Sequence, residues 1–425
     1  MTGLVGSLVA LTVCGVLNLL VASRINAGSN REEGRFLLRV FWWTLGLRYL
    51  LAVVLNVYAG SSGFAGMFWG DSSTYDAGAY GLALVWRGEA VGAPRFTEAV
   101  GRFGFYYFVG MIYFVFGRNQ LLVQFLNGTI GALTVVVMHA LATRLFGPLV
   151  ARRVAILMAF FPGMLFWSAG MYKDPAILLC IAVSMYAVVR LREAVSLAML
   201  MLFVGAVLAL VTLRFYIAYF VVFATLSSFV FSRRGPLLQR LLSYGLLVGA
   251  LATVFSFAVR QEALEEQSTY MTLDRLQVTR TDQAIQGQSG FGREYNVSTP
   301  GGAVLALPVG LTYLLFAPFP WAIAGTRQAL VLPEMLVWYG LMPAFVAGLV
   351  HAIRRQLGDI LPILAFAVTL TLAYALMQGN IGTAYRQRTQ VTIFFFLFMG
   401  VGLVERAKQK ALRAGGHVMK PAVPR

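Results

Sequence analysis

The sequence predicts an all-α polytopic membrane protein, and three features lead to that prediction. Of the 425 residues, 59% are hydrophobic and 12% are charged, about half the charged share of an average soluble domain. A water-soluble fold of this size could not bury so much apolar surface, because folded proteins keep a large polar exterior. The apolar residues also form runs of about 20, the length that a helix needs to cross a bilayer. These features exclude a cytosolic enzyme, a DNA-binding domain and a secreted disulfide scaffold.

Eleven apolar stretches are candidate membrane spans. They are residues 4–23, 37–58, 120–143, 154–171, 174–190, 195–212, 215–231, 241–259, 333–350, 359–377 and 390–404. Two further stretches are weaker: 104–117 is short, and 303–324 is broken by Pro318 and Pro320. We expect both to be re-entrant or to lie on the membrane surface, because irregular backbone at membrane depth must be buried in protein or line a cavity.

The charged residues predict how the chain is oriented. The net charge is +17, from 34 Lys and Arg against 17 Asp and Glu, and cytoplasmic segments of membrane proteins collect Lys and Arg. With the N-terminus outside, the inner segments hold 20 cations and five acids, whereas the outer segments hold 13 cations and 12 acids. This split predicts a transmembrane domain over residues 1–405, outer loops at 59–103 and 260–302, and a basic cytoplasmic tail over 406–425. We expect the second loop to be mobile or to serve as a lid, and we expect no nucleic-acid partner.

The first outer loop contains the motif FWGDSSTYDAGAYGLALVW, with Asp71 and Asp76. Residues 77–86 have the pattern of a short helix lying on the membrane surface. A carboxylate just outside the bilayer is well placed to take a proton from an acceptor hydroxyl. The alternative is structural: Asp71 or Ser72 caps the helix and Asp76 is solvated. The residues alone favour neither interpretation.

A second acidic motif, SAGMYKDPAILL, lies between two spans that must turn within a few residues. Pro175 suits the first turn of the following helix. Asp174 would then cap that helix, or it would form an outer-face ion pair with Lys173 at the mouth of a cavity. Charges at such depth are costly, which makes the functional interpretation as strong as the structural one.

A third motif, MQGNIGTAYRQRTQ, brings Arg386 and Arg388 into the last span from the outside after a glycine-rich turn. Arginine suits phosphate because its planar fork donates two hydrogen bonds at once. Arg214 and Arg118, also at outer span ends, could join them. The alternative is that each arginine only reaches lipid headgroups. For the Arg386 and Arg388 pair we favour phosphate binding.

Other polar residues give weaker signals. Arg48 lies in the middle of a span, so we expect it to face the protein interior or a wet cavity. None of the three histidines, His139, His351 and His417, has metal-ligand spacing, which leaves the use of a divalent metal open. The sequence has no P-loop and no dinucleotide-binding glycine pattern, so nucleotide-driven chemistry within the chain is not expected.

These motifs together resemble the GT-C superfamily, and within it the bacterial dolichyl-phosphate-mannose-protein mannosyltransferase-like (family 39-like) proteins. The resemblance covers roughly residues 37–215: a span, the Gly-Asp-x-x-x-Tyr loop, an apolar segment ending FG, a span ending RLFG, the stretch FFPGMLFWSAGMY and the turn KDP. NIGTAYRQR near the end is also similar. Two departures are an additional span before the usual first one and the lack of a large C-terminal outer domain.

The resemblance implies an inverting transfer on the extracytoplasmic face of a bacterial cytoplasmic membrane. The donor would be a polyprenyl-phosphate-linked sugar, and the acceptor a hydroxyl of a lipid, glycan or protein. Asp71 would match the family's base and Asp76 a helper. Lys173 and Asp174 would match its second acidic motif. The arginines at 386–388 would stabilise the departing phosphate.

Two other functions remain open at this level. An O-antigen or exopolysaccharide polymerase or ligase would use a lipid pyrophosphate-linked glycan and outer arginines, but would give the Asp71 loop no special role. A lipid or glycan transporter or flippase would explain Arg48, but should show an inverted repeat with paired broken helices, and none is visible.

Overall fold

A computed structural model describes residues 3–28, 31–61, 70–92, 103–230, 272–287, 289–323 and 325–413, together with residues 245, 248 and 249. Thirteen helices are traced in these ranges. They are α1 (Gly3–Gly28), α2 (Arg31–Ser61), α3 (Gly70–Trp86), α4 (Phe103–Phe116), α5 (Gln120–Phe146), α6 (Pro148–Phe160), α7 (Pro162–Ala169), α8 (Asp174–Leu191), α9 (Leu197–Val230), α10 (Leu273–Gln286), α11 (Pro300–Phe316), α12 (Thr326–Met377) and α13 (Ile381–Arg413). The predicted all-α membrane fold class is confirmed.

Seven of the described helices are long and apolar enough to cross a membrane. An eighth span results if α6 and α7, which meet at an angle of 54°, form one broken crossing. Two of the seven contain a residue with non-helical backbone: Arg214 in α9 and Gln356 in α12. Both breaks fall where the sequence predicts the end of one span and the start of another. The predicted count of eleven is not confirmed, and the predicted span 241–259 lies outside the described residues.

The break in α12 is a reversal of the chain. The ring of Phe345, before Gln356, lies 4.4 Å from that of Phe395, and the ring of Phe366, after Gln356, lies 5.5 Å from that of Phe394. In an unbroken helix, positions 345 and 366 would be about 30 Å apart along the axis. Both instead reach neighbouring residues of α13, so the two halves of α12 run side by side.

The helices that border the predicted outer loops are short. The apolar stretches at 104–117 and 303–324 overlap α4 and α11, which are shorter than the candidate spans. In the first predicted outer loop, α3 begins at Gly70 rather than at Ala77, because the hydroxyls of Ser73 and Thr74 bond the Gly70 carbonyl and support an earlier first turn. The remainder of that loop, 62–69 and 93–102, lies outside the described residues.

The second predicted outer loop also contains a helix. The side chain of Thr272 accepts a hydrogen bond from the Arg275 amide and caps the start of α10. Arg280, buried on α10, donates to the carbonyls of Ala375 and Leu376 at the end of α12. A cation is favourable at a helix C-terminus, so this contact holds α10 against the bundle. The role of this loop as a lid stays a prediction, and residues 260–271 lie outside the described part.

Segments predicted to share a membrane face meet at the same end of the bundle. At one end, predicted inner segments are joined by the pairs Arg144–Glu193, Arg152–Glu32, Arg152–Glu33 and Arg192–Gly358. At the other end, predicted outer segments are joined by Arg386–Asp71, Arg386–Asp174 and Arg118–Asp76. Which end faces the cytoplasm stays a prediction, and so does the cytoplasmic location of the tail over 406–425. Helix α13 continues through Arg413, and the residues after it are outside the described part.

Arg48 is buried inside the bundle, as expected from its position. Its guanidinium donates to the Ser168 hydroxyl at 2.8 Å and to the Thr44 carbonyl at 3.2 Å, and it borders a cavity of about 10 Å³, roughly the room that one water needs. Gly131 on α5 makes this approach possible. A Cβ atom at that position would lie 2.7 Å from Arg48 Nε and 2.8 Å from Ser168 Cβ.

Candidate active site

The turn before α8 places Asp174 at the end of the bundle where the predicted outer segments meet. Asn127 on α5 holds this turn by donating to the carbonyls of Gly170 at 2.8 Å and Tyr172 at 2.9 Å. Asp174 is the first residue of α8 and its side chain is fully buried. The described start of α8 has no side-chain cap, so the interpretation of Asp174 as a helix cap is wrong. The carboxylate contacts guanidinium groups instead.

Arg386 on α13 joins the first two acidic motifs. Its Nε and Nη2 atoms donate to Asp174 Oδ2 at 2.8 and 2.5 Å, and its Nη1 atom donates to Asp71 Oδ2. The guanidinium carbon also lies 5.2 Å from the ring centre of Trp167 and 4.7 Å from that of Tyr172. These aromatic contacts are favourable for a cation and restrict its orientation.

Arg214 reaches the same buried carboxylate from the break in α9. Its Nη2 atom lies 3.6 Å from Asp174 Oδ1, and its side chain is 9% exposed. Arg214 Nη1 and Asp174 Oδ1 have no hydrogen-bond partner among the described residues. Beside them, Lys173 is buried and donates to the Leu213 carbonyl at 2.8 Å. Buried donors without a partner are costly, so this arrangement favours an added acceptor.

Two guanidinium groups of this cluster meet at one buried carboxylate. Arg386 and Arg214 both contact Asp174, and Arg214 Nη1 is a buried donor without a hydrogen-bond partner among the described residues. Such a donor favours an added acceptor, which makes the cluster a candidate binding site for an anion.

The two acids of the first outer loop differ in their surroundings. The side chain of Asp71 is 58% exposed, and its ion pair among the described residues is with Arg386. The side chain of Asp76 is 4% exposed; it accepts a hydrogen bond from the Tyr113 hydroxyl at 2.6 Å and pairs with Arg118. The hydrogen bond to Asp76 raises the pKa of Arg118. Asp71 is thus exposed and held by one guanidinium nitrogen, whereas Asp76 and Arg118 are bound to each other and join α3 to the chain after α4.

Arg388 lies apart from this cluster. Successive helical residues turn by about 100°, so positions 386 and 388 point to different sides of α13. Arg388 donates to the carbonyls of Leu315 at 2.9 Å and Ala317 at 3.3 Å, at the end of α11, and lies 5.2 Å from the ring centre of Trp338. The structure therefore does not bring Arg386 and Arg388 together at one site.

Comparison with known families points to one match. Residues 102–259 match the family model of dolichyl-phosphate-mannose-protein mannosyltransferases. The resemblance seen in the sequence is confirmed over these residues, which include Arg118, Lys173, Asp174 and Arg214. Asp71, Asp76, Arg386 and Arg388 lie outside the matched stretch. No curated protein sequence matches the chain. Together with the apolar helices, the match supports an integral membrane glycosyltransferase of the GT-C kind.

Four further residues at or next to the candidate site were not singled out from the sequence. Trp167 and Tyr172 contact the Arg386 guanidinium. Gln390 lies one helical turn below Arg386, is fully buried, and accepts a hydrogen bond from the Tyr374 hydroxyl. Its Nε2 atom has no partner among the described residues. The spacing of four between Arg386 and Gln390 is the signal that could have revealed this residue, because such positions share one helix face.

Metal binding at this site stays an open question. Across the described ranges, no group of three or more His, Cys, Asp or Glu side chains is arranged to hold a metal ion. The position between the carboxylates of Asp71 and Asp174 is taken by the guanidinium of Arg386.

Proposed function

We propose that the protein transfers a sugar from a polyprenyl-phosphate-linked donor to an acceptor hydroxyl, with inversion, at the extracytoplasmic face of a bacterial cytoplasmic membrane. The observation that carries this proposal is the shared guanidinium of Arg386. It connects an exposed carboxylate, Asp71, to a buried carboxylate, Asp174, which Arg214 also contacts. A base and an anion site side by side are what transfer from a phosphate-linked donor requires.

In the proposed reaction, Asp71 takes the proton of the acceptor hydroxyl. The acceptor oxygen attacks the anomeric carbon of the sugar as the bond from that carbon to the phosphate oxygen breaks, and the phosphate keeps the electron pair. One direct displacement of this kind inverts the configuration at the anomeric carbon. A positioned general base contributes about 10²–10⁴-fold to the rate. The acceptor is a hydroxyl of a glycan, a lipid or a protein.

Arg386 and Arg214 would hold the donor phosphate. A polyprenyl phosphate-linked sugar is a phosphodiester with one negative charge, and its phosphate oxygens can accept hydrogen bonds from Arg214 Nη1, which has no partner among the described residues, and from Arg386. During transfer the phosphate gains a negative charge while Asp71 becomes neutral by protonation, so the total charge of the site does not change. The alternative donor is a lipid pyrophosphate-linked glycan, which brings about two negative charges.

The other two predicted arginines receive different roles. Arg118 would position α3 through its pair with Asp76, because both groups already have partners. Arg388 would support the structure by binding the carbonyls at the end of α11. Neither arginine is expected to contact the donor phosphate.

The test compares two classes of donor. Purified protein in nanodiscs is given a radiolabelled sugar on a polyprenyl phosphate or on a polyprenyl pyrophosphate, and transfer to a membrane-extracted acceptor fraction is measured. We expect transfer from the phosphate-linked donor. Arg386→Lys should raise the KM for that donor at least about tenfold. The lysine ammonium group keeps the positive charge but cannot donate two parallel hydrogen bonds to the phosphate as a guanidinium does. Arg388→Lys is the matched control, with little change in KM. Preferential use of the pyrophosphate-linked donor would contradict the proposal.

A further inference from the structure

The two carboxylates bound to Arg386 are held very differently. Asp174 is fully buried and is bound by two nitrogen atoms of the guanidinium, whereas the side chain of Asp71 is 58% exposed and is bound by one. Exposed ion pairs contribute little to stability, while separating a buried pair leaves an uncompensated charge. The ion pair between Asp71 and Arg386 is therefore the one that breaks easily, whereas Asp174 remains bound to Arg386.

A donor phosphate would bind the same edge of the Arg386 guanidinium that binds Asp71. Arginine binds phosphate through two N–H groups at once, and in Arg386 the side formed by Nε and Nη2 is already committed to Asp174. The remaining fork includes Nη1, which donates to Asp71. A phosphate there would also repel the Asp71 carboxylate, since both are negatively charged.

We infer that Asp71 and the donor phosphate compete for Arg386, so that binding of the donor releases the base. Before the donor binds, Asp71 Oδ2 is occupied by the guanidinium and is not available to an acceptor hydroxyl. After the donor binds, the carboxylate is free beside the sugar that is to be transferred. This inference rests on the proposed function for the identity of the anion and adds an order of events: donor first, activation of the acceptor second.

The attachment of α3 allows this release without unfolding of the helix. Asp76, five residues after Asp71, is fixed by Tyr113 and Arg118, and Tyr75 is buried next to it. The first turn of α3 is supported locally by the hydroxyls of Ser73 and Thr74 on the Gly70 carbonyl. Asp71 can therefore leave Arg386 by a change of side-chain rotamer while the rest of α3 stays in place.

The competition predicts opposite effects of a single substitution on binding and on turnover. Asp71→Asn removes the negative charge that competes with phosphate, so the affinity for polyprenyl phosphate, measured with a radiolabelled lipid in nanodiscs, should rise by about two- to fivefold, the range expected for an exposed ion pair. Turnover should fall because the base is lost. Glu89→Gln is the matched control: Glu89 is exposed in the turn after α3, and its removal should leave the affinity unchanged.

A second measurement follows the release directly in the wild-type protein. Modification of Asp71 by a water-soluble carbodiimide and an amine is quantified by mass spectrometry, with and without saturating polyprenyl phosphate. Exposed Asp282 on α10 is the internal reference. We expect modification of Asp71, and not of Asp282, to rise at least about twofold. Unchanged modification, or equal affinity of wild type and Asp71→Asn, would overturn the inference. Tighter binding with normal turnover in Asp71→Asn would instead refute only the proposed base.

Discussion

Removing the negative charge of Asp174 is the perturbation whose energetic consequence the structure predicts best. Asp174→Asn keeps the size of the side chain but leaves Arg386 and Arg214 without their buried counter-charge. The carboxylate is fully buried and accepts bonds of 2.8 and 2.5 Å from Arg386. Breaking such a pair by removing one partner costs about 3–5 kcal/mol. We therefore expect the free energy of unfolding to fall by that amount.

A second substitution separates charge imbalance from loss of a hydrogen bond. Arg214→Gln, added to Asp174→Asn, removes one of the two arginines that contact Asp174, so the two substitutions together leave the net charge of the cluster unchanged. The double variant should therefore be more stable than Asp174→Asn alone, by roughly 1–3 kcal/mol of coupling. Asp282→Asn, which removes an exposed carboxylate, is the control and should lie within about 0.5 kcal/mol of the wild type.

The assay is equilibrium or thermal unfolding of purified protein in a mild detergent, followed by near-ultraviolet absorbance or by the exposure of buried cysteine. All four proteins are measured in parallel, so that differences are compared within one detergent. A loss of less than about 1 kcal/mol in Asp174→Asn, or a double variant less stable than the single one, would refute the reasoning. Either result would mean that Asp174 is not the counter-charge of the cluster.

Three further predictions concern other parts of the fold. Arg388→Met should lower the free energy of unfolding by about 1–3 kcal/mol, because the carbonyls that Arg388 binds would lose their hydrogen bonds. The KM for the sugar donor should stay unchanged in the fraction of protein that folds. Gly131→Ala should destabilise by about 1–3 kcal/mol, measured by thermal unfolding, because the added methyl group would meet the Arg48 guanidinium. In intact cells, an impermeant thiol reagent should label a cysteine at Glu89 but not one at Lys408, and the reverse pattern would contradict the predicted orientation.

Much of the fold could be predicted from the sequence because membrane spans depend on composition. The break at Gln356 coincides with the polar segment RRQLGD, which cannot stay at membrane depth. The early start of α3 and the presence of α10 could not be predicted. The first depends on local bonds from Ser73 and Thr74 to the Gly70 carbonyl, and the second on a tertiary contact between Arg280 and the end of α12.

The sequence predicts several residues of the candidate site but not which of them contact one another. The sequence singled out Asp71, Asp174 and Arg386 separately, and their contact depends on how α3, α8 and α13 pack, which no local pattern encodes. The separation of Arg386 from Arg388 is different, since helical periodicity alone places two such positions on different sides of a helix. The predicted phosphate site included both arginines because of their charge, although a spacing of two residues places them on different sides of the helix.

In the proposed reaction, the exposed Asp71 is the base and the buried Asp76 is not. The most direct measurement is the single-turnover rate of sugar transfer from a saturating polyprenyl-phosphate donor by purified Asp71→Asn protein, whose folding is checked by its unfolding midpoint. The side chain of Asp71 is 58% exposed, and an exposed ion pair contributes at most about 1 kcal/mol, so stability should be nearly normal. If Asp71 is the base, the rate should fall at least about a hundredfold. A folded Asp71→Asn protein that transfers sugar at close to the wild-type rate would contradict this assignment of the base.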